Sequence, residues 1–486
     1  MSQPQQQVKK GLLLFVLLLG SFLSVLNQTI LNVALPALME EFAVSASTAQ
    51  WLSTGFMLVN GILIPVTAFL MKRFTTRQLF ISSMLLLFAG TLINAIAPSF
   101  EVLLIGRLIQ AAGAGIIMPL LMAVVLAIFP VEGRGTAMGM TGLVMVFAPA
   151  IGPTLAGIII EQYSWRWIFI GMFILVAIVI ALSYKLLVNV SETSKQKLDI
   201  LSIILSTLGF GGILYGLSSA GDKGWGSALV LSCLALGLLF LVLFCRRQLL
   251  AGDPMLNLRV FKDKTFTITT IINVLVTMIM YGDMILLPLY LQSSRGYSVL
   301  DTALLMLPGA LLNAVMSPIS GRLFDKFGAK PLALIGLIFI IPAVWGVTGL
   351  TETTGYGYLM FRTILLRIGM SLLTMPITTA GLNTLPKQLG AHGSAVTNTV
   401  RQVAGAIATA MVVTIMSISA KHHTVQLAES GSLLSKAQIT KAASIFGASE
   451  AYIFITAVGI IAIIMTLFMP GKKKEGAEQK KTVAEN

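Results

Sequence analysis

The sequence predicts an all-α polytopic membrane protein with fourteen transmembrane helices, and three observations carry that expectation. Of its 486 residues, 56% are hydrophobic and 11% charged, with a mean hydropathy of +0.90. Soluble domains carry about 25% charge, so this chain lacks the polar surface to coat a water-soluble globule of its size. The apolar residues gather into fourteen runs, each close to or above the ~20 residues that a helix needs to cross a bilayer. Lysine and arginine collect in alternate loops between those runs, the asymmetry that orients membrane proteins.

In order, the runs cover 12–35, 47–70, 79–98, 102–128, 136–160 and 167–188, then 200–219 and 227–245, then 265–291, 301–321, 331–350, 356–380, 394–418 and 450–469. The first follows Lys9 and Lys10 and resembles a secretory leader. It has no small-residue cleavage site and continues into Asn27, Gln28 and Asn32, so it reads as a span. The longest loop, 419–449, has mixed charge and reads as a partly ordered connector, with a short amphipathic helix as the alternative. The polar tail from Lys472 to Asn486 reads as disordered, with Lys472, Lys473 and Lys474 placed to meet anionic lipid.

With the N-terminus inside, 24 of the 33 Lys and Arg fall on the cytoplasmic side and six outside, and no loop is inverted. Arg401 is counted here with the cytoplasmic cations, beside Lys387. Both termini are therefore expected in the cytoplasm of a multi-pass protein of the cell membrane. This placement also accounts for the net charge of +14 without nucleic acid, because no basic face is left over.

Several chemistries are not expected. Cys233 and Cys245 fall on one predicted helix about 18 Å apart, beyond disulfide reach. His392, His422 and His423 have no companions at ligand spacing, so no metal site is expected. No Gly-rich phosphate loop ending in Lys-Ser/Thr occurs, so ATP does not drive this chain by itself and no cofactor is expected. No nucleophile–base constellation suggests an enzyme.

Two basic turns occupy matching places in the two halves of the chain: Ala68 to Arg77 after span two, and Gly321 to Lys330 after span ten. Internal repeats of this kind point to a two-bundle transporter with its site between the halves. The second copy, with Gly321, Arg322, Asp325, Lys326 and Gly328, resembles the cytoplasmic signature of the major facilitator superfamily. The first departs from it, with Ala68, Lys72 and Thr75 where Gly, Asp and Gly are expected. Further stretches resemble the fourteen-span drug:proton antiporters of that superfamily, the group of lincomycin-resistance and multidrug-efflux transporters. Leu26 to Pro36 is similar to their first-span signature and Arg107 to Gly113 to their fourth-span motif. Gly142, Pro149, Gly152, Pro153 and Gly157 match the antiporter motif of span five, and Trp165-Arg166-Trp167 follows.

The resemblance implies the major facilitator fold: a six-helix bundle over 12–188, a linker with two added helices over 189–264, and a second six-helix bundle over 265–469. A cytoplasmic N-terminus, 1–11, and tail, 470–486, flank them. A monomer in lipid, moving a small molecule against protons, is implied too.

Independently of the family, the small residues of span five let a neighbouring helix come close, and Pro149 and Pro153 can bend the helix. The bland reading is a packed kink; the functional one is a seal between halves. Gly321, Arg322, Asp325 and Lys326 are candidates for a charge latch on the cytoplasmic side, or simply for an orienting turn.

Four charges are assigned to span interiors: Arg107, Asp283, Arg362 and Arg367. A charge at bilayer depth costs about 2.5–3.5 kcal/mol even on the lenient insertion scale, so such residues face bundle interiors or wet cavities. By the resemblance their spans line the substrate path, as does span one with Asn27, Gln28 and Asn32, and Gln110 lies near Arg107. Desolvation draws a deep carboxyl toward its neutral form and a nearby cation toward its charged form. Asp283 is thus the candidate proton-coupling group, with Arg107 as its candidate partner; a static ion pair is the alternative. Asn27 stands where the resembled signature has Asp and cannot carry a proton. Three Arg against one Asp disfavour dications. The expected function is proton-coupled export of lipophilic drugs or antibiotics. Export of an endogenous, anionic metabolite is the alternative, and a non-transporting sensor or scaffold ranks third.

Overall fold

A backbone in hydrocarbon must satisfy its own N–H and C=O groups, which leaves helices and closed barrels as spanning forms. The computed structural model describes residues 10–44, 46–49, 51–190, 199–429 and 435–470, and all its long elements are helices. The first part holds α1 (Lys10–Glu41), α2 (Trp51–Arg73), α3 (Thr76–Ala95), α4 (Phe100–Ile128), α5 (Val131–Gln162) and α6 (Arg166–Leu186). The central pair is α7 (Ile200–Lys223) and α8 (Ala228–Leu250). The last part holds α9 (Lys264–Leu289), α10 (Val299–Phe327), α11 (Ala329–Trp345), α12 (Tyr356–Asn383), α13 (Gly390–Glu429) and α14 (Lys436–Leu467). Thirteen of these are long and apolar enough to cross a membrane, and α11, with 17 residues, takes the place of the remaining run. The fold class is the one expected.

Caps rather than hydropathy set the ends. Thr75 and Gln78 form a capping box before α3, Ser298 and Asp301 before α10, and Ser435 and Gln438 before α14. Gly328 turns α10 directly into α11 with φ of 81°, a left-handed conformation that glycine adopts without a Cβ clash. The largest correction concerns 419–449. Rather than a connector, α13 continues to Glu429 and α14 already starts at Lys436. Forty helical residues reach about 60 Å, twice the hydrocarbon thickness of about 30 Å, so the pair stands out beyond the bilayer as a hairpin. His423 stacks on Phe446 across it at 4.3 Å, a contact that apolar-run length cannot reveal. The predicted tail and N-terminal segment lie outside the described residues beyond 470 and before 10.

One apolar core fills the first half and another the last. At the end where α4 stops and α5 starts, the first core also takes in Phe266, Met375, Leu382, Ala395 and Val396 from the last half. At the opposite end a separate cluster, from Ile30 and Leu38 to Trp165 and Phe169, draws on first-half residues alone. The halves thus share a core at the end assigned to the cytoplasm. Outward faces carry exposed apolar side chains, such as Leu236, Leu238 and Val242 on α8 and Ile460 and Ile464 on α14, the surface that lipid tails require.

The central pair packs tightly through glycines: a Cβ on Gly237 would lie 2.7 Å from the Ile213 nitrogen. Asp199 ties the pair together at one end, accepting from Arg247 Nε at 2.9 Å and Nη2 at 3.0 Å while capping α7 through the Ser202 N–H. The pair touches both halves. Tyr215 stacks on Trp51 of α2 at 5.6 Å, and Trp225 Nε1 donates to Thr414 of α13.

Candidate functional site

Asp283 is the only fully buried carboxylate among the described residues. It sits on α9 and meets three groups from two other helices. Arg362 Nη2 of α12 donates to Oδ1, Tyr452 of α14 donates its hydroxyl to the same oxygen at 3.2 Å, and Arg367 Nη2 stands 3.6 Å from Oδ2. Arg362 is oriented by a second bond, from Nε to the Ala343 carbonyl at 3.0 Å, and its guanidinium lies over the Tyr452 ring at 5.1 Å. Two arginines serve one carboxylate, so the cluster carries one surplus positive charge. Arg367 is the one member that reaches accessible space, with its side chain 14% exposed.

Arg107 lies elsewhere. Its Nη1 donates to the Asn27 carbonyl and to Gln110 Oε1, both at 3.1 Å, its Nε reaches the Leu52 carbonyl at 3.5 Å, and its guanidinium covers the Phe56 ring at 4.5 Å. Gln110 passes the chain on, donating to Thr91 at 2.8 Å and accepting from Asn94 at 3.0 Å. These contacts tie α1, α2, α3 and α4 together within the first half. Both ends of the Asn27 side chain and Arg107 Nη2 are buried without partners. The structure therefore gives Asp283 the cations Arg362 and Arg367 rather than Arg107. Gln28 is half-buried on α1; the Asn32 and Pro153 side chains lie outside the described residues.

One charge was misplaced by counting. Arg401, taken for a cytoplasmic cation, is the twelfth residue of α13 and lies inside the span. Its Nη1 is buried without a partner. The interior therefore holds four arginines against one aspartate, and the inside tally of cations falls to 23, which leaves the charge bias intact. The signal was in the sequence, since 401 falls within the run 394–418. Tyr452 carried no such signal: a tyrosine in an apolar run is ordinary until a carboxylate meets its hydroxyl.

The two halves close on each other along α5 and α10. A Cβ on Gly135 would stand 2.5 Å from the Gly321 carbonyl, and one on Gly139 2.6 Å from the Ser317 carbonyl; only glycines permit this approach. Gly142 lies against Ser317 and Met375, whereas Gly152 packs on Thr29 of α1 and Gly157 meets nothing within 4 Å. The small-residue face of α5 is thus divided between two partners, and α5 runs unbroken past Pro149 and Pro153.

The latch rests on donors of the opposite half. Asp325 accepts from the Gly135 N–H at 2.8 Å, the Thr136 N–H at 3.0 Å and the Thr136 hydroxyl at 2.8 Å, near the positive end of the α5 dipole. Arg322 is exposed, and Lys326 lies over the Phe327 ring at 5.2 Å. Arg134 adds a bond to Asn383 at 2.9 Å, and Ser394 of α13 donates to the Pro119 carbonyl of α4 at 2.9 Å. In the first half, Lys72 replaces the expected acid and finds one in the linker, Asp253 at 3.1 Å. Trp165 and Arg166 both donate to Glu41 at the end of α1, at 2.5 and 2.6 Å.

Two multi-helix halves sealed at one end, with a carboxylate–arginine cluster buried inside one of them, define a multi-pass membrane transporter. The sequence profile of the Major Facilitator Superfamily matches residues 17–409, and the chain belongs to that superfamily. It is 50% identical over 417 residues to the uncharacterized MFS-type transporter YhcA of Bacillus subtilis (strain 168), covering 86% of this chain and 78% of that one. It is 42% identical over 472 residues to the lincomycin resistance protein LmrB of the same organism, covering 96% and 97%. Among solved structures, the proton:xylose symporter XylE superposes with a TM-score of 0.63 at 15% identity, over 97% of this chain and 98% of that one, a likeness of fold alone.

Proposed function

We propose that the chain is a proton-coupled efflux transporter that exports lipophilic drugs or antibiotics by alternating access. The observation that carries this reading is the buried cluster of Asp283 with Arg362, Arg367 and Tyr452. While Asp283 is charged it neutralises Arg362. A proton on Asp283 would leave that guanidinium without its counter-ion, a costly state in a dry interior, so protonation and rearrangement of α9 against α12 are energetically linked. The near full-length likeness to a lincomycin resistance protein supports drug export as the direction.

The closed end, with the Asp325 bonds and the Gly135–Gly321 approach, is read as the cytoplasmic gate, so this state would load protons and release drug at the exterior. The reading includes both termini in the cytoplasm of a cell-membrane protein acting as a monomer. It comprises bundles 12–188 and 265–469 with 189–264 between them, and no cofactor beyond the proton gradient. The test is Asp283→Asn in proteoliposomes: counterflow of a neutral drug should continue while an imposed pH gradient no longer drives accumulation. Undiminished gradient-driven uptake would remove Asp283 from the coupling role.

A further inference from the structure

Ser394, Asn398, Arg401 and Gly405 recur at intervals of four, three and four residues, and therefore share one side of α13. The lower part of this side is spoken for. Ser394 donates to the Pro119 carbonyl and Asn398 Nδ2 contacts Met122 Sδ at 3.2 Å, both on α4 of the opposite half. The upper part meets α9, where a Cβ on Gly405 would lie 3.0 Å from Tyr281 Cζ, the carbon that bears the hydroxyl. Arg401 stands between these contacts, so its side chain faces the seam between the halves rather than lipid, directly above the seal.

Its surroundings do not neutralise it. The side chain is half-buried, Nη1 is buried and has no acceptor, and among the described residues no carboxylate pairs with it. The neighbouring polar groups are uncharged: the Tyr281 phenol, with which Arg401 interacts electrostatically, and Gln402, whose Cγ would be 3.4 Å from a Cβ on Gly61 of α2. Eleven helical steps from Gly390 put Arg401 about 16 Å into the span. An unpaired guanidinium at that depth is expensive, and Asp283 cannot relieve it because that carboxylate already serves two arginines.

We propose that Arg401, with Tyr281 beside it, is the anion-binding end of a site between the halves, whose ligand is an amphiphilic organic anion bearing a carboxylate or sulfonate. The proposal rests on the transport reading above and names its substrate class. The planar guanidinium offers paired N–H donors to such a group, the phenol adds a third, and the half-buried Tyr281 ring supplies apolar surface for the rest of the molecule.

The test uses full-length protein in lipid nanodiscs for binding and in proteoliposomes for transport. The anionic probe is anilinonaphthalene sulfonate, and its uncharged relative phenylnaphthylamine is the control. Arg401→Gln should weaken saturable sulfonate binding about tenfold or more while leaving phenylnaphthylamine within about twofold, with Arg401→Lys intermediate. Should the Gln variant fail to fold, the Lys variant and the ratio of the two probes carry the comparison. Equal losses for both probes, sulfonate binding that ignores Arg401, or no saturable sulfonate binding by the unsubstituted protein would each overturn the site. If sulfonate binding depends on Arg401 but neither probe is pumped, the site stands and the transport reading fails. If the neutral probe is pumped and Arg401→Gln leaves sulfonate handling alone, transport stands and the site fails.

Discussion

Replacing Asp325 by Asn tests whether the closed end is held by that carboxylate. The native side chain accepts three hydrogen bonds, from Gly135 N–H, Thr136 N–H and the Thr136 hydroxyl, at 2.8, 3.0 and 2.8 Å. An amide oxygen at the Oδ2 place keeps both Thr136 bonds without their charge and turns the NH2 toward the Gly135 N–H, so one charge-assisted bond is lost and two become neutral. A charge-assisted bond is worth about 1.5–3 kcal/mol, but Asp325 is only half-buried and water recovers part of this. A net loss of about 2 kcal/mol corresponds to roughly thirtyfold in the ratio of closed to open states. The reporter is Ser317→Cys, at a position 3% exposed and pressed against Gly139, in a chain with Cys233 and Cys245 replaced by serine. Its alkylation by a water-soluble maleimide should accelerate about thirtyfold with Asp325→Asn and by less with Thr136→Ala, which removes a single bond. A rate unchanged by Asp325→Asn would show that glycine packing and the remaining bonds across the halves hold the end shut without this carboxylate, and the latch argument would be wrong.

Breaking the buried pair from one side should cost about 3–5 kcal/mol, so Arg362→Ala should lower the detergent melting temperature sharply, and Asp283→Asn combined with Arg362→Gln should recover much of the loss; strictly additive losses would count against the pair. Asn27→Asp would place a carboxylate beside Arg107, whose Nη2 has no partner, and should move the pH profile of transport by about one unit, whereas a profile identical to the native one would separate the two side chains. Arg247 holds the Asp199 carboxyl down at about 2 despite partial burial. A depressed carboxyl contributes stability above its unfolded value and loses it as pH falls toward the folded one. Melting temperature should therefore drop between about pH 4 and pH 2 in the native chain, and Asp199→Asn should remove that component of the drop; equal slopes would dismiss the pair as a tie between α7 and α8.

Much of the fold was legible in the chain because the bilayer imposes a length and a polarity on each span. Fourteen runs, alternating cations and the motifs at 107–113, 142–157 and 321–330 sufficed to fix the helix count and the family. The extended hairpin of α13 and α14 escaped because residues beyond the hydrocarbon need no apolar character, and only contacts such as His423 on Phe446 show that helix continues there. Arg401 escaped because a cation near a run boundary is easily assigned to the loop beside it.

The site divides in the same way. The sequence by itself determined which groups are expensive at bilayer depth, because desolvation cost depends on residue type and position along a span: Asp283, Arg107, Arg362 and Arg367 follow from that alone. Which of them face one another was decided only by tertiary structure. Helix order does not give helix rotation, and the three-and-four-residue repeat leaves several partners within reach of each face. Packing therefore chose Arg362, Arg367 and Tyr452 for Asp283, gave Arg107 to carbonyls, and turned Asp325 toward two backbone N–H groups. The acid missing at Lys72 came from Asp253, 181 residues away, and only the folding of the linker back against α2 could bring it there.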